Sequence, residues 1–530
     1  MILRRIRAHK FLCVSITVPV VSVGGLAVYV EYRRRTRPVL PVFVPVVNEN
    51  GSLLLDGKVV PRPSFWAVAW RVVQLLYIFF PLAVLYVVMR LRREWYLLWL
   101  ERLLYAVESA GPAFVKAGQW SCTRQDVFSP EFRSVFKKLY DGVDTHPYKV
   151  SLQILKEELQ QDPDEIFTDI EEETVGSGSI GQVHGATLRS TGERVVVKVM
   201  HPYVVETVVK DFFIINSLAS LLHKYVPSLE RYDLPALGLA WTTHLAAQLD
   251  FRVEARNLDL FRENFKNEPF VSFPKPLFST QRVLVETFCK GEPASVEFLA
   301  AQEEHARDKL AHCGLNTWCK MLLHDRFLHG DMHPGNVLVD VSDPHEPCVS
   351  LIDAGLCQQI SEEESIATHN LMESFVHWKA DLCSEALLNM GAHQRYANKE
   401  KFRSEIRWLF DHWRPLHSKN VVVTNILQAV FECIRKNEVH MDPPYVSLLF
   451  AVLVLESFIM NLNPDFNMVR HAAPWLISDG HLTRGLVKNI AMTSLDLMKQ
   501  ELGVLRGRLR DGVHKELVAK DSVYVGTGAW

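Results

Sequence analysis

The residues best placed to do chemistry are His329-Gly330-Asp331-Met332-His333-Pro334-Gly335-Asn336, followed after a short apolar run by Asp353-Ala354-Gly355. An Asp, an Asn five residues on and a second Asp opening a D-x-G form a donor set for phosphoryl transfer from a metal-bound nucleotide. Asp331 would sit beside the attacking group, and Asn336 and Asp353 would ligate the magnesium ions bridging the phosphates. Hard divalent cations take oxygen ligands, and one amide oxygen with one carboxylate is a common protein share of a magnesium site.

Upstream lies the second half of such a site. Gly176-Ser177-Gly178-Ser179-Ile180-Gly181-Gln182-Val183 fits GxGxxGxV, and Val195-Val196-Val197-Lys198-Val199 follows within one hairpin's length. Gly176, Gly178, Ser179 and Gly181 would let backbone N–H groups approach phosphates, with Val183 beside them and Lys198 on the next strand reaching the α/β-phosphates. Alone, GxGxxG is a weak signal. The order glycine loop, lysine, catalytic Asp, Asn, metal Asp is specific, and it predicts a kinase-like fold that uses ATP and Mg2+. Val283-Leu284-Val285-Glu286 reads as a buried strand leading into an interlobe hinge, where backbone groups of Glu286–Phe288 would meet adenine. His324, His329 and His333 do not read as a metal set, because Gly330 and Pro334 break any helix that could present them together.

The rest of the 530 residues must position this site. Net charge is −3, so no basic field argues for nucleic acid. The nine cysteines are scattered without a CxxC and read as reduced. Residues 1–30 contain no acid; Arg4, Arg5, Arg7 and Lys10 precede the apolar run Phe11–Val30, as in a mitochondrial leader. A second run, Val72–Met89, is long enough to cross a bilayer, with Arg71 before it and Arg90, Arg92 and Arg93 after it. Pro81 inside it is tolerated better in a membrane helix than in a soluble one. The arginine cluster predicts that the following domain faces the matrix. Helical spacing runs from Glu94 to about Gln161, β-branched alternation from Phe167 to Met200, and helical spacing again from Glu206 to Asn264. The apolar stretch Val446–Met460 carries Glu456 at its centre and reads as a core helix.

Three further motifs choose among kinase-like relatives. They are Lys116-Ala117-Gly118-Gln119, Ser179-Ile180-Gly181-Gln182-Val183-His184 with Val197-Lys198-Val199-Met200-His201-Pro202, and Leu249-Asp250-Phe251-Arg252-Val253-Glu254-Ala255-Arg256-Asn257. With the HGDMHPGN loop they resemble the UbiB family of atypical kinases, also called aarF-domain-containing kinases, over residues 95–500. The leader and apolar run resemble those of the animal mitochondrial members. The resemblance implies an α+β, bilobal protein-kinase-like fold whose amino-terminal KxGQ helix packs over the nucleotide cleft, with Lys116 and Gln119 pointing into it. It implies that Lys198 pairs with a glutamate from the helix facing it. Glu254 is the choice, with Glu206 and Glu263 as the other candidates. The implied organisation is a basic targeting or anchor segment (1–40), a linker (41–64), a transmembrane helix (65–90), a helical KxGQ extension (91–165), an N-lobe (166–288), a C-lobe (289–505) and a tail (506–530).

Two departures stand out. The family usually has an alanine-rich loop where this chain has Gly-Ser-Gly-Ser-Ile-Gly, and Gln248 stands where the family's ExD motif has its Glu. The expected function is a membrane-anchored mitochondrial kinase or ATPase that supports ubiquinone biosynthesis or lipid metabolism. Its partners would be inner-membrane lipids, ubiquinone-biosynthesis proteins or lipid precursors, with no nucleic acid. A nucleotide-binding pseudokinase scaffold and a small-molecule phosphotransferase are the alternatives.

Overall fold

Among the described residues, the segment ahead of the glycine loop is helical, and its five longer helices frame the domain. These are α1 (Phe65–Leu91), α2 (Tyr96–Ala110), α3 (Pro112–Thr123), α4 (Pro130–Phe136) and α5 (Tyr148–Leu159). The computed structural model of the chain describes residues 54–478 apart from 56–57, 92–94, 124–128, 141–144, 227–233, 344, 392–393, 396 and 414–422. The expected leader, most of the linker, Arg92, Arg93 and the tail lie outside the described residues. Residues 38–473 form one compact unit. A second unit takes in 1–37 and 474–530, of which 474–478 are described.

Helix α1 covers the apolar run and is long and apolar enough to cross a membrane. One of its edges packs on the domain. Phe79 meets Phe114, and the Leu82 carbonyl accepts from the Trp99 indole. Arg71 departs from the expectation of a cation flanking a membrane run. It is buried, its Nε and Nη2 pair with Asp211 at 2.7 and 2.9 Å, and it also donates to the Ala110 carbonyl. A charge that has found a buried partner is no longer available to a headgroup. Away from that edge Trp66, Trp70, Tyr77 and Phe80 are exposed, and only 11% of the apolar window is buried.

Helices α2 to α4 close a small core of Leu100, Leu104, Val107, Val115, Phe132 and Phe136. Gly118 sits where α3 meets this core. A Cβ there would collide with Leu139 and come within 3.3 Å of Phe136, so the glycine of Lys-Ala-Gly-Gln serves close packing.

The β-branched region forms an antiparallel five-stranded sheet. Its strands are β1 (Phe167–Ser177), β2 (Gly181–Leu188), β3 (Arg194–Met200), β4 (Pro276–Ser279) and β5 (Val283–Thr287), in the order β1-β2-β3-β5-β4. Side chains alternate faces along a strand. Val195, Val197 and Val199 therefore enter one core with Val283 and Val285, which Ile154 and Leu155 of α5 cover. Val196 and Lys198 turn to the other face, toward the cleft. Between β3 and β4 come α6 (Val204–Tyr225), α7 (Leu234–Ala247) and α8 (Phe251–Asn264). Asp250 caps α8, accepting from the Arg252 backbone N–H and pairing with the Arg252 guanidinium.

The larger lobe is mostly helical. After β6 (Glu292–Pro293) and α9 (Glu304–Cys319), a π-helical turn at Lys320–Asp325 leads into β7 (Phe327–His329). β8 (Val337–Asp340) and β9 (Cys348–Leu351) form a hairpin, and β10 (Cys357–Gln359) pairs with β7. Helices α10 (Glu362–Val376), α11 (Ala380–Asn389), α12 (Lys399–Trp413) and α13 (Val423–Lys436) share a core built on Leu371, Leu387, Phe402, Ile406, Phe410 and Val430. α14 (Pro443–Leu462) and α15 (Met468–Ser478) follow. α14 is also long and apolar enough to cross a membrane, but 44% of its apolar stretch is buried, with Glu456 inside. It packs against α9, as a core helix does.

Candidate active site

The cleft side of the sheet carries one row of side chains. Val183 pairs in register with Lys198, and Lys198 with Leu284, so the three share a face. Lys198 Nζ donates to both Glu254 oxygens at 2.8 and 2.9 Å and lies 3.1 Å from Asp353 Oδ1. Glu254 stands in the first turn of α8, which sits across from the sheet. Glu263 pairs instead with Lys266, and Glu206 stands in the first turn of α6. The aromatic ring of Phe251 lies 5.2 Å from the Lys198 ammonium.

One ammonium between two carboxylates sets the electrostatics. Burial works against the charged Lys198, but Asp353 and Glu254 outweigh it and hold its pKa above the ordinary value. Burial would likewise raise Asp353, yet Lys198 and Lys116 reverse this and keep it well below the usual carboxylate range. Glu254, more deeply buried, is pushed up to about 7, with Lys198 opposing and Asp353 adding to the shift. Asp353 holds a left-handed backbone, φ 57°, a conformation that costs an L-residue about 1–2 kcal/mol. That turn aims its carboxylate at Lys198 and away from the strand direction. A Cβ at Gly355 would lie 3.2 Å from Asp353 Oδ1 and 3.4 Å from Glu254 Oε2, with Gln248 also close, so glycine leaves these groups room to converge.

Across the cleft, β7 delivers the HGD turn. His329 is buried, donating from Nε2 to the Ile352 carbonyl and accepting at Nδ1 from the Asp331 N–H. Burial lowers its pKa, so it is neutral and structural. His333 caps the following 3-10 turn by accepting from the Gly335 N–H. The Asn336 amide nitrogen donates to the Asp331 carbonyl at 2.9 Å, which turns the amide oxygen toward other partners. The Asn336 carbonyl accepts from the Ile352 N–H at 3.0 Å, so Asn336 is one step from Asp353 across the hairpin. An amide oxygen and an ionised carboxylate are hard oxygen donors, and the pair suits magnesium that keeps water and phosphate oxygens as its other ligands.

The glycine loop divides by role. A Cβ on Gly181 would meet the Val199 carbonyl oxygen at 2.6 Å, so this glycine serves the approach of β3. A Cβ on Gly176 would meet open space and one on Gly178 only an ordinary contact with the Gly181 carbonyl oxygen at 3.8 Å, so the loop leaves room for phosphates. The Ser177 and buried Ser179 hydroxyls have no hydrogen-bond partner among the described residues. A relay of side chains from separate segments steadies the loop. Ser151 Oγ donates to His146 Nε2 (2.8 Å), His146 Nδ1 to His201 Nδ1 (2.7 Å), and His201 Nε2 to the Gly178 carbonyl (2.9 Å). Burial, with His201 and His184 nearby, pushes His146 down to about 4 and keeps it neutral.

From the helical extension, Lys116 enters the cleft, its Nζ 3.6 Å from Asp331 Oδ2. Gln119 differs from expectation. Its amide nitrogen donates to the Leu139 carbonyl at 2.9 Å, within the extension, because three residues along α3 turn it toward the 3-10 turn Lys137–Tyr140. The hinge differs too. The Thr287 and Phe288 N–H groups are taken by the Lys275 and Arg194 carbonyls, and the Arg194 guanidinium lies over the Phe288 ring. At Glu286 the side chain lies on the cleft face of the strand, opposite Val196.

The ABC1 atypical kinase-like domain matches residues 138–387. A probable protein kinase UbiB of Marinobacter nauticus is 30% identical over 384 residues, 71% of this chain and 69% of the relative. The chain belongs to the UbiB family of atypical kinases. A probable serine/threonine-protein kinase of Dictyostelium discoideum is 26% identical over 449 residues, 72% of this chain. The match spans 65% of that relative, just under two thirds of its length. A Saccharomyces cerevisiae ABC1 family protein named mitochondrial is 25% identical, covering 75% of this chain and 71% of its own. Among solved structures, a Mycobacterium tuberculosis protein in complex with erythromycin aligns with TM-score 0.50 and 17% identity, covering 70% of this chain and 94% of its own. That likeness speaks for the fold shared with this UbiB-family chain.

Proposed function

We propose that this chain binds Mg-ATP in the interlobe cleft and transfers the γ-phosphoryl group to water or to a small or lipid acceptor. The observation that carries the reading is the placement of Lys198 between Glu254 and Asp353. Lys198 steers the α/β-phosphates while Glu254 holds its ammonium in place. Gly176, Gly178 and Ser179 close over the phosphates, and Asn336 and Asp353 hold the metal. When bound, magnesium neutralises charge on the β- and γ-phosphates. Asp331 orients the attacking hydroxyl and takes its proton.

The helical extension over 91–165 serves as the family's cleft-covering KxGQ element. The exposed aromatic face of α1 seats the protein on a membrane, as Trp and Tyr side chains do at bilayer surfaces. The yeast relatives' names support a mitochondrial location, with inner membrane and matrix-facing domain as the detailed expectation. The UbiB relatives support a role in ubiquinone biosynthesis.

The test is thermal unfolding of the detergent-solubilised full chain with ATP, with and without magnesium. A ligand that binds the native state raises its apparent stability by mass action. Wild type is expected to show a magnesium-dependent rise that Asp353→Asn loses; no rise in folded wild type would sink the proposal. One observation favours a second reading, a nucleotide-gated scaffold: Lys116 lies against the carboxylate that would take the proton. That reading predicts the same thermal rise with no ATP turnover.

A further inference from the structure

Glu286 is the cleft acid that phosphate chemistry does not use. It lies in β5 opposite Val196, two residues beyond Leu284, which pairs with Lys198. Strand parity therefore puts its side chain on the cleft face with Lys198. The residue is 7% exposed, and its Oε2 has no hydrogen-bond partner among the described residues. Leaving a buried acceptor unmade is expensive, and a folded protein keeps such a group where a ligand supplies the missing donor. The cation nearby does not supply it, because Lys198 is bonded to Glu254 and Asp353.

Direction along the strand says which part of a ligand arrives there. Phosphates gather at Lys198 and Asp353, and Glu286 is two residues, about 7 Å, farther along β5 toward its exit from the sheet. That is the end where a nucleotide's base would lie. The Thr287 and Phe288 N–H groups are occupied within the protein, while Glu286 Oε2 faces that end without a partner among the described residues.

We propose that the Glu286 carboxyl accepts a hydrogen bond from the exocyclic amine of adenine, making it the residue that selects the base. The inference rests on the nucleotide reading above. Burial, with Glu254 and Asp353 near and Lys198 opposing, pushes the Glu286 carboxyl up to about 8. In its protonated form it offers a carbonyl oxygen for the amine and an O–H for the adjacent ring nitrogen.

The test compares magnesium-dependent binding of ADP and of purine riboside diphosphate, which lacks the amine, to the detergent-solubilised full chain. Wild type should prefer ADP by on the order of tenfold, the worth of one buried hydrogen bond. Glu286→Leu should still bind both with that ratio collapsed to near one, while Glu286→Gln, which keeps an acceptor, should retain it. Glu286→Met, unbranched and similar in length, is the second apolar variant, so a folding defect in one leaves the ratio measurable in the other. An unchanged ratio in the apolar variants, or no preference in wild type, overturns the assignment while nucleotide binding stands. No magnesium-dependent binding of either ligand by wild type overturns both readings.

Discussion

Two ion pairs between the amino-terminal helices and the rest of the domain differ in character. At α1, Arg71 meets Asp211 of α6 with the carboxylate fully buried and both contacts short. At α3, Lys116 meets Asp331 at 3.6 Å, with each side chain about one-fifth exposed. The first has no water to fall back on; the second can exchange its partner for solvent or phosphate. α1 is thus pinned firmly on α6, while α3 rests loosely on the HGD turn.

Breaking the buried pair should have the largest effect. Arg71→Ala would strand Asp211, whose pKa burial already raises against the pull of Arg71, and should destabilise the full chain by roughly 3–5 kcal/mol. Thermal melts would read the loss, and an added Asp211→Leu should restore much of it. If Arg71→Ala melts like wild type, α1 is not held by this pair.

A smaller effect should follow from pH at the histidine relay. His146 is depressed from 6.5 to about 4, so the native state binds fewer protons than the unfolded chain between those values. Its contribution is complete above pH 6.5 and falls away as pH drops toward 4. His184 and His201, also lowered by burial, act in the same sense. Melting temperature plotted against pH should fall more steeply over this window for wild type than for His146→Asn. Equal slopes would remove the relay from the account.

The smallest change in stability belongs to the loose pair. Lys116→Ala should cost less than about 1 kcal/mol, as partly exposed pairs do. Its readout is ATP turnover, expected to rise severalfold once Asp331 is released, with magnesium-dependent binding retained. A loss of stability rivalling that of Arg71→Ala would show the two attachments to be equivalent.

Much of the cleft was legible because its residues are read by order and spacing. Lys198 on a β-branched strand, Asp331 with Asn336 five residues on, and Asp353 opening a turn come together as the spacing predicts. Other contacts were not legible, for reasons of geometry. Gln119 shares a motif with Lys116, yet the helical rotation between them turns its amide nitrogen to Leu139. The hinge was expected to present backbone, but the ladder and Arg194 hold the Thr287 and Phe288 donors and leave the Glu286 carboxyl facing inward. The relay from Ser151 through His146 and His201 joins residues that no local pattern links.

The two long apolar helices mark the same boundary. α1 and α14 both have the length and composition to cross a membrane, yet 11% of one apolar window is buried against 44% of the other. Glu456 inside α14 was the clue available from the residues alone. Arg71 carried no such clue, since its partner Asp211 is 140 residues away. Sequence by itself determined the family, the order of the lobes and the chemical types gathered at the cleft, because periodicity and motif spacing are local properties of a chain. Only tertiary structure decided which glutamate meets Lys198, which lysine touches Asp331 and which cleft acid keeps an oxygen without a partner among the described residues. Those outcomes depend on distances between segments far apart in the chain, and close packing sets them to within an ångström.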